Sequence, residues 1–227
     1  MANKLRSDRY GNEAQKLQFL SSIFTVDSTK TILELGSGSG KLTQLLEKTG
    51  AKVYAVDRRE PTLPVQRYVQ ANFLEEEIPV SDVDFAFLLF PYLGVDWWNL
   101  EEFFVRVAAT LKIGGQFALD LGYYNTVPFG YTEEFDTPRE DHVLTSFLIR
   151  KSNSFVGHMT KTYPDGTTRT HDMMWRLFEK EELTAIGKKS GLTLQTTYLN
   201  FTSEKTVEQW AKLPEKTRLC VVFTKTH

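Results

Sequence analysis

The chain has 227 residues, a length that suits one large domain. Its 41% hydrophobic and 25% charged residues exclude a disordered, collagen-like or heptad-repeat protein. A formal net charge of −2 supplies no positive field for a nucleic-acid backbone or an anionic membrane.

Strand and helix patterns alternate through the first half of the chain. Helical spacing of apolar residues predicts one helix over 12–24 and a second one that follows Gly40 and ends at Gly50. A third helix has its apolar pattern over 100–111 and is predicted to end at Gly114-Gly115. Short apolar runs predict strands at Thr31–Leu35, Lys52–Val56, Arg67–Phe73, Asp84–Phe90 and Gln116–Leu121. This alternation is typical of βαβ units, which form a mostly parallel sheet that binds ligands at the carboxyl ends of its strands.

The pattern changes after Gly122. Up to about Trp175 the sequence predicts antiparallel strands, with a hairpin turn at Pro164-Asp165-Gly166. A helix over 179–190 and strands over 192–198 and 219–224 follow, and the acidic stretch that begins at Glu133-Glu134 is predicted to be a solvated loop, or else to favour an amine-bearing substrate. Because no linker-like segment interrupts the chain, we predict a single domain over 1–227 with an antiparallel cap inserted at 122–176.

Three glycines stand between the first predicted strand and the next helix, in the segment Glu34-Leu35-Gly36-Ser37-Gly38-Ser39-Gly40. Glycines allow the backbone to turn sharply and a ligand to approach the main chain. A dinucleotide fingerprint starting at Gly36 needs a glycine where Lys41 stands, and a phosphate loop ending Gly40-Lys41 needs a hydroxyl residue where Leu42 stands. Both alternatives are therefore excluded.

An acidic residue directly before the glycines disfavours a pyrophosphate but suits a ligand with an ammonium and a sulfonium group. A second acid, Asp57, ends the next predicted strand, where its oxygens can accept hydrogen bonds from both hydroxyls of a ribose. The order strand, acid, glycines, helix, strand, acid favours a nucleoside site over a simple tight turn.

These residues resemble the class I S-adenosylmethionine (SAM)-dependent methyltransferases, in a small-molecule type similar to the sugar-amine and glycine N-methyltransferases. Glu34–Gly40 matches the first motif of this family, and Leu111-Lys112-Ile113-Gly114-Gly115 is similar to its turn before the fifth strand. The resemblance implies a Rossmann-like, seven-stranded, mostly parallel sheet with helices on both faces, and an amino-terminal helical lid over 1–30. It also implies SAM as cofactor.

The same resemblance implies a set of cofactor-binding residues. They are Glu34, Gly36, Ser37, Gly38, Gly40, Asp57, Arg58, Asn72, Phe73 and Phe90. Asn72 stands where the family often has an aspartate, and its amide carbonyl can still accept a hydrogen bond from the adenine amino group.

Three residues are candidates for the catalytic step. Tyr92 follows the fourth predicted strand and matches a serine of small-molecule methyltransferases, and Tyr10 matches a tyrosine that related enzymes place over the methyl donor. His171 lies on a late strand of the insertion and can accept a proton from an amine or a hydroxyl group near neutral pH.

The sequence thus predicts an enzyme that transfers a methyl group to a small-molecule acceptor. A nucleic-acid or protein methyltransferase and a non-catalytic SAM-binding protein are the alternatives, and no Cys/His or acidic set with the spacing of a metal site is visible. We expect no nucleic-acid or membrane partner. One cysteine, Cys220, and no apolar run near the ~20 residues of a membrane helix predict a cytoplasmic protein.

Overall fold

A computed structural model describes residues 13–89, 99–122, 129–138, 142–152, 154–199, 201–206 and 218–227. This part of the chain contains four helices and twelve strands, and the strands form two sheets. The helices are α1 (Glu13–Ile23), α2 (Lys41–Glu47), α3 (Leu100–Thr110) and α4 (Lys180–Lys189). The strands are β1 (Thr31–Leu35), β2 (Lys52–Asp57), β3 (Tyr68–Gln70), β4 (Val83–Leu88), β5 (Leu111–Gly122), β6 (Thr132–Pro138), β7 (Val143–Arg150), β8 (Ser154–Thr162), β9 (Thr168–Arg176), β10 (Leu192–Leu199), β11 (Thr202–Thr206) and β12 (Arg218–Lys225).

The main sheet has eight strands in the order β11-β10-β12-β5-β4-β1-β2-β3. Strands β1 to β5 pair in parallel, while β10, β11 and β12 are antiparallel to their neighbours. The predicted Rossmann-like, mostly parallel sheet is therefore confirmed. It has one strand more than the predicted seven, because the short strand β11 adds to the free edge of β10.

Helices cover both faces of the main sheet, as predicted. On one face, α1 and α2 bury Phe19, Leu20, Leu42 and Leu46 against alternate residues of the central strands. The other face is covered by α3 and α4, and each of these helices buries two apolar side chains, as is typical of an amphipathic helix. These are Phe103, Phe104, Leu183 and Ile186.

The predicted end of helix α3 is wrong. Helix α3 ends at Thr110 rather than at Gly114-Gly115, because Leu111 is already extended and pairs with Val83. The register of β4 and β5 then shifts, and the two glycines lie inside this irregularity. A Cβ atom on Gly115 would lie 2.9 Å from the Lys112 carbonyl oxygen, so the shift needs a residue without a side chain.

The insertion forms a separate four-stranded antiparallel sheet in the order β6-β7-β8-β9, which we call the second sheet. It follows the carboxyl end of β5, the edge of the main sheet at which the parallel strands end, and leads back to α4. Glu133, Glu134 and Asp136 belong to strand β6 rather than to the predicted solvated loop. The prediction failed because β6 is an edge strand, where exposed charges are common and hide the apolar alternation.

The two faces of the second sheet differ. Leu144, Ser146, Leu148 and Phe155 are buried and lie on one face, which we call the covered face. Exposed residues define the opposite, open face, and they are Glu134, Asp136, His158 and Asp172. The covered face of the second sheet is therefore partly buried, whereas the open face is exposed to solvent.

Gly157 in strand β8 offers a test of this sheet. A Cβ atom there would lie 1.8 Å from the Phe147 carbonyl oxygen on β7, so Gly157→Ala must separate two paired backbones. We expect the free energy of unfolding to fall by about 1–3 kcal/mol, as for other overpacked sites. Denaturant unfolding measures this loss. His158→Ala, at the next and exposed position of β8, is the control for a substitution in this strand, and equal losses in both variants would contradict the close pairing of β7 with β8.

Candidate functional site

The glycine loop turns between β1 and α2 in a left-handed backbone conformation. Gly36, Gly38 and Gly40 have φ angles of +73°, +55° and +82°, which residues with a Cβ adopt only with strain. The Gly36 N–H donates to the Val56 carbonyl oxygen at 2.7 Å and so ties the loop to strand β2. The loop adopts this left-handed path because glycine is the residue that adopts such φ angles without strain, and it stands at all three positions.

The three glycines have different roles. A Cβ on Gly40 would lie 2.9 Å from Val65 Cγ1, so Gly40 allows close packing at the start of α2. A Cβ on Gly38 would meet no atom within 4 Å, and one on Gly36 would be in ordinary contact, 3.4 Å from Leu88 Cδ1. The main chain at Gly36 and Gly38 is therefore open to a ligand, whereas Gly40 is structural.

Asp57 at the end of β2 joins this loop directly. Its Oδ2 atom accepts a hydrogen bond from the Gly38 N–H at 2.9 Å, and its Oδ1 atom accepts one from the Arg59 N–H at 3.1 Å. Each carboxylate oxygen has a second lone pair for a further donor. The acid and the glycines, which are 19 residues apart in sequence, therefore form one site.

A cavity of about 490 Å³ lies at this edge of the main sheet, within the range of small-molecule sites. Its polar groups include Asp57 and Asn72, and its apolar wall includes the buried side chains of Phe73 and Leu88. The lining residues are Gly36, Gly38, Ser39, Asp57, Arg58, Arg59, Glu60, Thr62, Ala71, Asn72, Phe73, Leu74, Leu88 and Leu89.

The structure thus brings together six of the ten predicted cofactor residues in one cavity: Gly36, Gly38, Asp57, Arg58, Asn72 and Phe73. Glu34, Ser37 and Gly40 belong to the same loop but do not line the cavity. Phe90 lies outside the described residues, as do the catalytic candidates Tyr10 and Tyr92.

Ser37 is buried, and its hydroxyl group has no hydrogen-bond partner in the described part of the chain. The sequence interpretation did not identify Leu88 and Leu89 as cavity residues. Their position at the end of a buried parallel strand is a signal that could have identified them.

Glu34 lies beneath α2, on the face of the main sheet that α1 and α2 cover. Its side chain is buried, with 4% of the residue exposed, and the Thr43 hydroxyl donates a hydrogen bond of 2.6 Å to its Oε2 atom. Burial raises the pKa of Glu34 to about 7, although the Thr43 hydrogen bond and the charge of Lys16 act in the opposite direction. The carboxyl group is therefore partly protonated near neutral pH.

His171 is exposed on β9, and it lies opposite Met159 of β8. Met159 in turn lies opposite the buried Ser146, so His171 shares the covered face of the second sheet. The register therefore places this candidate base on the covered face, at a position that is itself exposed. Among the described residues, no group of three or more His, Cys, Asp or Glu side chains is arranged to hold a metal ion.

A comparison with known families agrees with this geometry. Residues 33–119, from the middle of β1 to the middle of β5, match the sequence model of a family described as a methyltransferase domain. This segment of the chain is therefore similar to that family. A search of curated proteins finds no match to this chain.

Solved structures share the fold of this chain over nearly its whole length. An SAM-dependent methyltransferase from Clostridium acetobutylicum has a TM-score of 0.74 at 17% identity, over 98% of this chain and 95% of that one. An SAM-bound amino pentose methyltransferase from Micromonospora echinaspora has a TM-score of 0.65 at 15% identity, over 100% and 97% of the two chains. A sugar N-methyltransferase from a Streptoalloteichus species has a TM-score of 0.68 at 12% identity, over 100% and 93%.

The residues of the cavity fit SAM. The open main chain at Gly36 and Gly38 leaves room for a ligand, and the free lone pairs of Asp57 suit ribose hydroxyl groups. Phe73 and Leu88 offer apolar surface to a purine base. Every helix in the described part of the chain is too short or too polar to span a lipid bilayer.

Proposed function

We propose that this enzyme methylates a small-molecule acceptor bound between the carboxyl edge of the main sheet and the covered face of the second sheet. The observation that carries the proposal is the hydrogen bond from Gly38 to Asp57 at the mouth of the cavity, because it assembles a nucleoside site next to the insertion. The amino pentose and sugar N-methyltransferases of the same fold support a small acceptor, since their named substrates are of that class.

Each residue of the cavity has a proposed contact with the donor. Asp57 accepts hydrogen bonds from the ribose hydroxyls, and Asn72 accepts one from the adenine amino group through its amide carbonyl. Phe73 and Leu88 pack against the base, and the Arg58 guanidinium stacks or hydrogen-bonds at the exposed side. Glu34 and Ser37 act from behind the loop and set its electrostatic potential, and Gly40 holds the start of α2.

SAM supplies a methyl group on a sulfonium, which is already activated toward displacement. The chain therefore has to align donor and acceptor, and alignment of this kind contributes several kcal/mol to catalysis. We propose that the second sheet caps the acceptor and that residues 1–30 close the site as a lid. Both belong with the main sheet to a single domain over 1–227. We place the enzyme in the cytoplasm because the sequence has a single cysteine, Cys220, and so offers no second cysteine for a disulfide within the chain.

His171 is the proposed general base of the transfer, because it lies on the covered face of the second sheet. His171→Asn keeps the size and polarity of the side chain and removes its basicity, so we expect kcat to fall at least tenfold while SAM affinity is unchanged. His158→Asn on the open face is the matched control and should retain wild-type kcat. Equal rates for the two variants would remove His171 from catalysis. Tyr10 and Tyr92 stay predictions from the sequence.

Binding of SAM is the first test of the proposed function. At a concentration about 100 times its dissociation constant, SAM should stabilise the fold by roughly 2.7 kcal/mol. This corresponds to a rise in unfolding temperature of about 5–10 °C for a chain of this size. An unchanged unfolding temperature with SAM and with its demethylated product would contradict the proposal.

The second test identifies the acceptor. The purified enzyme is incubated with methyl-labelled SAM and cell extract, and the labelled product is identified by mass spectrometry. A labelled metabolite supports the proposal. Label in RNA or polypeptide instead would favour a nucleic-acid or protein methyltransferase, and SAM binding without any labelled product would favour a non-catalytic SAM-binding protein.

A further inference from the structure

Two cationic side chains face each other at one end of the second sheet. Lys161 on β8 and Arg169 on β9 are directly opposite in the antiparallel register, where Cβ atoms are typically ~4.5–5.5 Å apart. Like charges in this position destabilise a sheet. The arrangement therefore has a cost in stability that the fold itself does not explain.

No carboxylate in the described part of the chain forms an ion pair with either of these cations. The Arg169 guanidinium lies 5.9 Å from the centre of the Tyr163 ring, a contact that orients the side chain but leaves its charge uncompensated. Asp165 in the adjoining turn accepts its hydrogen bond from the Thr167 backbone N–H. Two positive charges thus remain available to a ligand.

Both cations lie on the covered face. Lys161 pairs with the buried Leu144, and Arg169 pairs with Lys161, so all three residues point to the same side of the second sheet. His171, the proposed base, follows on this face two residues along β9 from Arg169. Two residues of a strand span ~6.6–6.8 Å.

The described acidic residues of the second sheet do not neutralise this end of the covered face. Glu134, Asp136 and Asp172 occupy register positions on the open face and are exposed to solvent. Asp136 accepts a hydrogen bond of 2.6 Å from the Thr145 hydroxyl on that same face. Glu133 on β6 is opposite Leu148, so its register position is on the covered face, but it lies four residues along β7 from Leu144, the partner of Lys161. The end of the covered face at Lys161 and Arg169 therefore carries two cations without an opposing acid of the second sheet.

We propose that Lys161 and Arg169 bind an anionic group of the methyl acceptor, a phosphate or a carboxylate. This inference rests on the proposed function and names the substrate class. A guanidinium binds both groups through two parallel hydrogen bonds, and the lysine ammonium adds a point charge. The acceptor is accordingly a small anionic molecule whose amine or hydroxyl group lies about one strand repeat, ~7 Å, from its anionic group.

The experiment uses the full chain and two probes, inorganic pyrophosphate and succinate, titrated calorimetrically at low salt with SAM present at saturation. We expect at least one probe to bind the wild type. Lys161→Met and Arg169→Met keep the apolar stems of the side chains, and each should weaken probe binding at least tenfold. Lys188→Met, at an exposed position of α4, is the matched control and should bind the probe as the wild type does.

The outcomes separate this inference from the proposed function. Preference for pyrophosphate indicates a phosphate-bearing acceptor, and preference for succinate indicates a carboxylate. Failure of both probes to bind while SAM still binds overturns the inference alone, as does equal weakening by the Lys188 control. Failure of SAM to bind overturns the proposed function. Because each Met variant removes a like-charge pair, its unfolding temperature should equal or exceed that of the wild type, which excludes unfolding as the cause.

Discussion

Replacing Glu34 with glutamine is expected to raise the free energy of unfolding at pH 8 by up to about 3 kcal/mol. The carboxylate is buried, and its pKa is raised from 4.5 to about 7. A shift of this size corresponds to roughly 3 kcal/mol between the two protonation states. Glutamine keeps an oxygen that accepts the Thr43 hydrogen bond and carries no charge to desolvate. The unmatched donors of its amide make this value an upper limit.

The pH dependence of stability gives the sign of this effect. Between about pH 4.5 and pH 7 the folded protein holds the Glu34 proton more tightly than the unfolded chain does. The wild type should therefore lose stability as the pH rises through this interval, and above it the loss is complete. The Glu34→Gln variant lacks this contribution. Urea unfolding at pH 5, 6, 7 and 8 measures the difference between the two proteins as a function of pH.

An exposed glutamate provides the control. Glu75→Gln removes a carboxylate that lies in solvent, and its stability should follow the wild type at every pH. A Glu34→Gln variant with the same pH dependence as the wild type would show that Glu34 does not titrate as a buried acid. SAM affinity gives a second measurement, because loss of the negative charge behind the glycine loop should weaken binding of the cationic donor.

Replacing Asp57 with alanine is expected to weaken SAM binding by one to two orders of magnitude, about 1.4–2.7 kcal/mol. The substitution removes the acceptors proposed for both ribose hydroxyls. It also removes the acceptor of the Gly38 and Arg59 backbone N–H groups, so the loop loses one of its contacts with the end of β2. Calorimetric titration of SAM measures the change.

Two further variants divide this effect into its parts. Asp57→Asn keeps one acceptor oxygen, so its SAM affinity should lie between those of the wild type and Asp57→Ala. Asp165→Ala is the matched control, because Asp165 also accepts a hydrogen bond from the backbone N–H two residues later but lies in the turn of the second sheet. Unchanged SAM affinity in Asp57→Ala would remove this residue from the site.

The cofactor half of the candidate site could be predicted because its signals are local in the sequence. A buried parallel strand, three glycines with left-handed backbone angles and an acid at the next strand end are each recognisable within a few residues. The rule that parallel strands end at one edge then places Asp57 beside Gly38, as the structure has it. Helices on both faces follow from the same alternation.

The boundaries that failed depend on contacts between distant residues. Helix α3 ends at Thr110 because Leu111 pairs with Val83, and no local pattern shows this pairing. Strand β11 exists through its pairing with β10. The charged sequence of the edge strand β6 is typical of a loop. The segment forms a strand because it pairs with its hydrogen-bonded neighbour β7.

The sequence by itself determined the fold class and the residues at two strand ends, because backbone conformation and hydrophobic periodicity are properties of neighbouring residues. Only the tertiary structure decided which face of the second sheet each residue of the insertion occupies, because in a strand of mixed composition the two faces are set by pairing with the neighbouring strands. That choice separates Lys161, Arg169 and His171 from the acids of the open face. It also buries Glu34 beneath α2, where the absence of water, rather than the residue type, makes its pKa unusual.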